Sequence, residues 1–368
     1  MKFAWARREW VLGLNLLTAV LFLTFGNTWL ADLSSIPWLA LMAGWLFGAI
    51  LLAAFAVIRH ADALARKLGE PYGTLILTLA VTGIEVMMIS AMMFTGKGSP
   101  TLPRDAMYSV VMIVCNGMVG LSLLVGGLRY REQTYNLRSA NSFLAVIVPL
   151  AVLVLVIPNF TRATPGPTLS VLQSVFLIFM SLGLYGVFLA IQTSVHREYF
   201  VASDDSGPAA LPAHDGMESS VLHHVVLLLC YLLPLVILCK QLAVPINHGI
   251  AVFNAPLALG GFLVAALILS PESVSAVRAA LANQLQRSIN LLLGSVLATI
   301  SLTVPAVLVI GFVTGQPIAL GLGELDRTML VLTLGLSTIT FSARRTNVLL
   351  GAVHLLLFFA YLMLLFDR

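Results

Sequence analysis

The sequence predicts an all-α integral membrane protein of about eleven transmembrane helices. Three observations carry that prediction. The 368 residues are 59% hydrophobic and only 10% charged, whereas a soluble domain carries about a quarter charged residues. Apolar runs of roughly 20 residues, the length a bilayer demands, recur along the whole chain. Lys and Arg fall alternately on the two sides such spans would create. A mean hydropathy of +0.99 leaves more apolar surface than a soluble core can hide, and the net charge of +4 is small enough to read as a loop distribution rather than a nucleic-acid footprint.

The expected spans are 10–30, 36–58, 74–95, 107–128, 142–159, 169–193, 221–240, 248–271, 289–313, 328–342 and 347–366. They must be helices, because lipid offers backbone groups no partner, and no segment alternates as a barrel strand does. The first run, Val11 to Leu30, is long enough to span and carries no small-residue cleavage site, so it reads as a helix and not as a signal peptide. With the N-terminus in the cytoplasm, the inner segments hold Lys2, Arg7, Arg8, Arg59, Arg66, Lys67, Arg129, Arg131, Arg138, Arg197, Arg278, Arg287, Arg344 and Arg345. The outer ones hold Lys97, Arg104, Arg162, Lys240, Arg327 and Arg368, which is 14 against 6 of the 20 basic residues. This bias predicts a cytoplasmic N-terminus and a C-terminus on the opposite, periplasmic side. Cys115, Cys230 and Cys239 lie in apolar runs without a CxxC and read as buried hydrophobes.

Segment 194–220 is the one stretch with soluble composition. It divides the chain into an extra N-terminal helix (1–33), a five-helix unit (34–193), a cytoplasmic linker (194–220) and a second five-helix unit (221–368). Two tandem units of five spans lie in opposite orientations, the geometry of an inverted-repeat transporter. An internal echo agrees: Ser122-Leu-x-Val125 lines up with Ser301-Leu-x-Val304, which puts Asn116 opposite Ser295.

Of sixteen Asp and Glu residues, fourteen fall in loops, at span edges or at the termini; the exceptions are Glu85 and Glu272. An ionisable side chain at mid-bilayer is costly and marks an ion or proton path. Glu272 follows Ser270-Pro271. The expectation there is a broken helix over 248–283, interrupted at Ser270-Pro271, whose freed carbonyls suit a cation. Gly83 offers Glu85 a milder break. Burial disfavours an ionised carboxylate, and a second nearby carboxylate disfavours it further, so such a pair holds protons near neutral pH until a cation displaces them. Calcium takes six to eight oxygens. Two glutamates supply up to four, and Thr82, Ser270, Asn116, Ser295, Thr299, backbone carbonyls and water are the candidates for the rest.

Other polar residues admit plainer readings. Asn116, Ser295 and Thr299 equally suit helix packing. His354 reads as a satisfied packing residue rather than a proton carrier. His223 and His224 read as interfacial, and Asp204, Asp205, Asp215 and Glu218 as a solvated linker.

The stretches 84–133, 267–305 and 345–363, with Glu85, Glu272 and Gly294-Ser295, resemble the two alpha-repeats (around 74–128 and 248–313) of the cation/Ca2+ exchanger superfamily. That family carries Gly-Asn-x-x-Glu in each repeat and Gly-Ser near the start of the next helix. This chain departs from it: Thr82 and Leu269 stand in place of Asn, and Met112-Ile113 in place of the first Gly-Ser. The resemblance implies ten core helices plus an extra first one, and a bacterial inner membrane. It also implies a secondary antiporter with no cofactor, whose cargo is Ca2+ and protons and whose surroundings are the lipid bilayer.

The expectation is therefore Ca2+/H+ exchange through Glu85 and Glu272, with Na+/H+ or K+/H+ exchange at the same site as the alternative and a non-transporting receptor or scaffold as a remote one. No HExxH, membrane-embedded nucleophile with base, paired aspartates or P-loop is found, so neither an intramembrane enzyme nor a nucleotide-driven pump is expected. Nothing in the sequence points to nucleic acid or to an obligate protein partner.

Overall fold

The computed structural model describes residues 9–68, 72–95, 100–200 and 220–367. The helices in chain order are α1 (Trp10–Trp29), α2 (Ile36–Leu68), α3 (Tyr72–Thr95), α4 (Leu102–Tyr130), α5 (Leu137–Leu155), α6 (Val171–Val195), the short α7 (Arg197–Phe200), α8 (Val221–Val252), α9 (Ala258–Leu281), α10 (Leu285–Thr314), α11 (Glu324–Thr340) and α12 (Val348–Phe366). Two-residue strands β1 (Gln133–Thr134) and β2 (Arg345–Thr346) pair antiparallel. Several helix starts are written locally. Asn136, Ser220 and Asn347 cap α5, α8 and α12 with side-chain oxygens, and Ser170 with Gln173 forms a capping box on α6, satisfying amides that a helix start leaves open.

Among the described residues nine helices are long and apolar enough to cross a membrane. The other two expected spans fall on α3, whose apolar described part is Leu79–Ala91, and on α11, which has 17 residues and opens with Glu324, Asp326 and Arg327. The expected linker 194–220, with its acidic cluster, lies mostly outside the described residues.

The expected boundaries of three helices are corrected. Helix α8 does not stop near 240 but runs 32 residues through Pro234 and Pro245. The chain then breaks at 253–257, where Asn254 takes a left-handed φ of 49°. Helix α9 starts there, at Ala258, and continues uninterrupted through Pro271. Proline removes one donor, but a membrane helix tolerates it when Ser or Thr side chains serve the backbone nearby. Here the Ser270 hydroxyl donates to the Ala266 carbonyl. Helix α2 likewise extends past 58 to Leu68, so Arg59 and Lys67 sit on a helix and not in a loop.

The chain folds as two compact units. The first comprises residues 9–102 and 220–271 of the described chain. In it α2 and α8 pack along each other, α3 lies on both, and α1 lies on α8 and α2. Gly26 leaves room for Gln241, whose amide donates to the Phe22 carbonyl at 3.3 Å. Phe22 meets Trp29 and Trp45 edge-on with centroids 5.5 and 5.6 Å apart. The second unit comprises 103–200 and 272–367 and pairs α4 with α12, α10 with α5, and α6 with α10. Here α4 and α12 approach backbone to backbone. A Cβ on Gly351 would lie 2.5 Å from the Leu124 amide nitrogen, and one on Gly120 would lie 2.9 Å from that of Leu355. Small residues at such crossings are how membrane helices gain close packing.

Both α4 and α10 contain a π-turn, at Ile113–Met118 and Thr299–Thr303. A third closes α6 at Ile191–Val195. Single π-turns inside α-helices concentrate at functional sites. The second has an evident origin, because Pro305 has no amide to return to the Ser301 carbonyl.

Candidate functional site

Both predicted glutamates are buried: Glu85 is 3% exposed and Glu272 7%. Glu85 lies on α3 in the first unit, with Thr82, itself buried, one turn earlier on the same face. Glu272 lies on α9 and belongs to the second unit. Pro271 immediately before it cannot donate to the Leu267 carbonyl, so an α-helical donor is missing one turn from the carboxylate. Ser270 commits its hydrogen to Ala266, which leaves its oxygen lone pairs able to face a cation. Among the described residues no three His, Cys, Asp or Glu side chains form a metal-holding group.

The remaining candidates sit on the two π-turned helices. Asn116 lies inside the π-turn of α4 and Thr299 inside that of α10, while Ser295 lies in α-helical structure before the turn. The two π-turns thus hold one candidate each, and Ser295 stands outside them. Asn116 is fully buried. Its amide nitrogen donates to the Thr333 hydroxyl at 2.8 Å, and its carbonyl oxygen faces His354 Nδ1 at 3.3 Å. His354 Nε2 meets the Thr340 hydroxyl at 2.9 Å. His354 is thus satisfied by its neighbours, as the packing reading expects.

Sequence reasoning missed other buried acids. Asp105 and Asp326 are 4% and 5% exposed, and Arg104 pairs with Asp105 at 2.8 Å. Glu9, counted among terminal residues, has a side chain only 8% exposed, with Arg59 at 2.7 Å, the Tyr231 hydroxyl donating at 2.8 Å and His60 Nε2 at 3.3 Å. The far side of that ring meets His224, Nδ1 to Nδ1, at 3.0 Å. His224 is therefore a buried member of a polar cluster on α2 and α8. Burial pushes the Glu9 carboxyl up, but the hydrogen bonds from His60 and Tyr231 and the Arg59 charge outweigh it. The result lies below the ordinary 4.5. The one available sequence signal was the adjacency Arg59-His60, and it becomes informative only once α2 is known to continue past 58.

Comparison with known proteins agrees with this arrangement of helices. A family model described as sodium/calcium exchanger protein matches residues 38–194 and 224–366. The sodium-potassium/proton antiporter ChaA of Escherichia coli is 46% identical over 354 residues, covering 94% of this chain and 93% of that one. Among solved structures, native YfkE superposes with a TM-score of 0.74 at 16% identity, covering 97% of this chain and all of that chain. The H+/Ca2+ exchanger CAX gives 0.66 at 14% identity, covering 93% and 87%.

Proposed function

The chain belongs to the sodium/calcium exchanger family, and from that premise we propose that it exchanges a monovalent cation, Na+ or K+, for protons, with Glu85 and Glu272 as the groups that take up cation and proton in turn. The observation that carries the reading is the burial of these two carboxylates on apolar helices, where an ionised side chain is expensive without a counter-charge. Each carboxylate is neutral when it holds a proton or faces a bound cation. The empty, doubly charged state is the one least able to cross the occluded intermediate. Such a rule couples the two fluxes without an energy source beyond the gradients.

The cation preference rests on ligand supply. Thr82 and Leu269 occupy the positions where the family motif has Asn, so two side-chain carbonyls are missing from a site that calcium would fill with six to eight oxygens. The 46%-identical relative is a sodium-potassium/proton antiporter, which agrees. Ca2+/H+ exchange is the second reading. It is favoured by the like fold of the H+/Ca2+ exchanger CAX and by the divalent charge that two carboxylates match. The basic-residue bias supports a cytoplasmic N-terminus, and the bacterial relative supports the inner membrane as the setting.

Proton flux in proteoliposomes with an imposed pH gradient tests this. Na+ or K+ added outside should dissipate the gradient, and Glu85→Gln and Glu272→Gln should each abolish the response. Dissipation by Ca2+ alone would move the assignment to the second reading. Normal exchange by both variants would remove the glutamates from the mechanism.

A further inference from the structure

The π-turn of α4 has a partner on another helix. In an α-helix the Val119 amide would bond the Cys115 carbonyl, four residues back. Here it bonds the carbonyls of Val114 and Asn116 instead, and Cys115 is skipped. His354, on α12, meets this turn at Asn116. The approach is possible because α4 and α12 cross on glycines: a Cβ on Gly120 would lie 3.0 Å from His354 Cβ. The same ring faces the Asn116 carboxamide at 3.3 Å and Thr340 at 2.9 Å. Since the Asn116 nitrogen is committed to Thr333 at 2.8 Å, its oxygen is the atom turned to the ring, so Nδ1 carries hydrogen and Nε2 accepts from Thr340. Asn116, Thr333, Thr340 and His354 are all 0% exposed, so each bond is made without competition from water.

We propose that His354 is a positioning residue for cation exchange: from α12 it fixes the carboxamide of Asn116, inside the π-turn of α4, in the orientation the transport cycle needs. The inference rests on the antiporter reading above. His354 does not touch the cation; it acts through Asn116. A neutral imidazole suits this task because it offers one donor and one acceptor at fixed separation, and each has a partner here.

The test splits the two ring nitrogens. Asparagine at 354 places an amide where Nδ1 was, towards Asn116; glutamine reaches where Nε2 was, towards Thr340. In the proteoliposome exchange assay, H354Q should raise the half-saturating Na+ or K+ concentration about tenfold, the weight of one buried hydrogen bond. H354N should stay within about threefold of wild type. The N116A/H354Q double variant should be no worse than N116A, because both changes remove one interaction. Melting of each purified variant is recorded alongside. A ring that merely fills space gives the opposite ranking, with the longer glutamine the better substitute, and its effect multiplies with that of N116A; either result overturns the proposal. So does unchanged half-saturation in H354Q, or failure of both variants to fold. If wild type exchanges cations, E85Q abolishes exchange and H354Q behaves as wild type, only the positioning role falls. If wild type exchanges no cation for protons, the antiporter reading falls and this inference falls with it.

Discussion

Helices α4 and α10 carry the same irregularity for different reasons. In α10 the π-turn at Thr299–Thr303 is followed by Pro305, and the cause is in the local sequence: a residue without an amide forces the ladder to shift. In α4 the turn at Ile113–Met118 has no proline within it or directly after it. Its stabilisation comes from α12, more than two hundred residues away, through His354 and through glycines that let the backbones touch. One irregularity is local chemistry and the other is tertiary. They should therefore respond to different substitutions.

The largest effect is expected from closing the α4–α12 contact. Gly351→Val places side-chain carbons within reach of the Leu124 and Gly120 backbones, which cannot give way as a flexible side chain would. Overpacking of this kind costs about 1–3 kcal/mol or more. A fall in the detergent melting temperature, absent in Gly335→Ala where a Cβ meets nothing within 4 Å, is the expected result. An unchanged melt in Gly351→Val would break the claim that α12 supports the α4 turn. Next is Thr333→Val, which leaves the buried Asn116 nitrogen without its 2.8 Å acceptor and should destabilise by about 1–3 kcal/mol. No counterpart is expected in α10.

Pro305→Ala sharpens the comparison from the other side. It restores an amide next to the Thr299–Thr303 turn, so a structure of the variant should show α10 closed into regular α-helix while the α4 turn persists. Retention of both turns would mean that α10, too, is shaped from outside. The smallest effect lies far from either turn. The Glu9 carboxyl sits below the ordinary 4.5, so its contribution to stability is present above 4.5 and is lost as pH falls through and below that value. Thermal unfolding followed downward from about pH 5 to about pH 3 should show a steeper loss in wild type than in Glu9→Gln.

How much of this was legible in the sequence follows the same division. Apolar runs are local features, and nine of the expected spans fall on helices long and apolar enough to cross a membrane among the described residues. Pro271 misled, because a proline announces a missing donor but not whether a neighbour such as Ser270 serves the backbone beside it. Asn116 was legible as a polar candidate but its π-turn was not, since no residue within 113–118 or directly after it is a proline. Glu9 was discounted for its position near the chain start. Its burial depends on Arg59, His60 and Tyr231, which only the packing of α1, α2 and α8 brings to it.

That cluster also bears on how the protein is made. His60 and its ring partner His224 are 164 residues apart, and a ribosome adding about 5–20 residues per second needs roughly 10–30 s to cover that distance. During that interval α1 and α2 have already left the ribosome while the helix that supplies His224 and Tyr231 does not yet exist. Glu9 and His60 therefore lack their α8 partners until that helix is made. Biogenesis of the first three helices is thus completed from the middle of the chain, and a ribosome stalled before residue 224 would leave them unsealed.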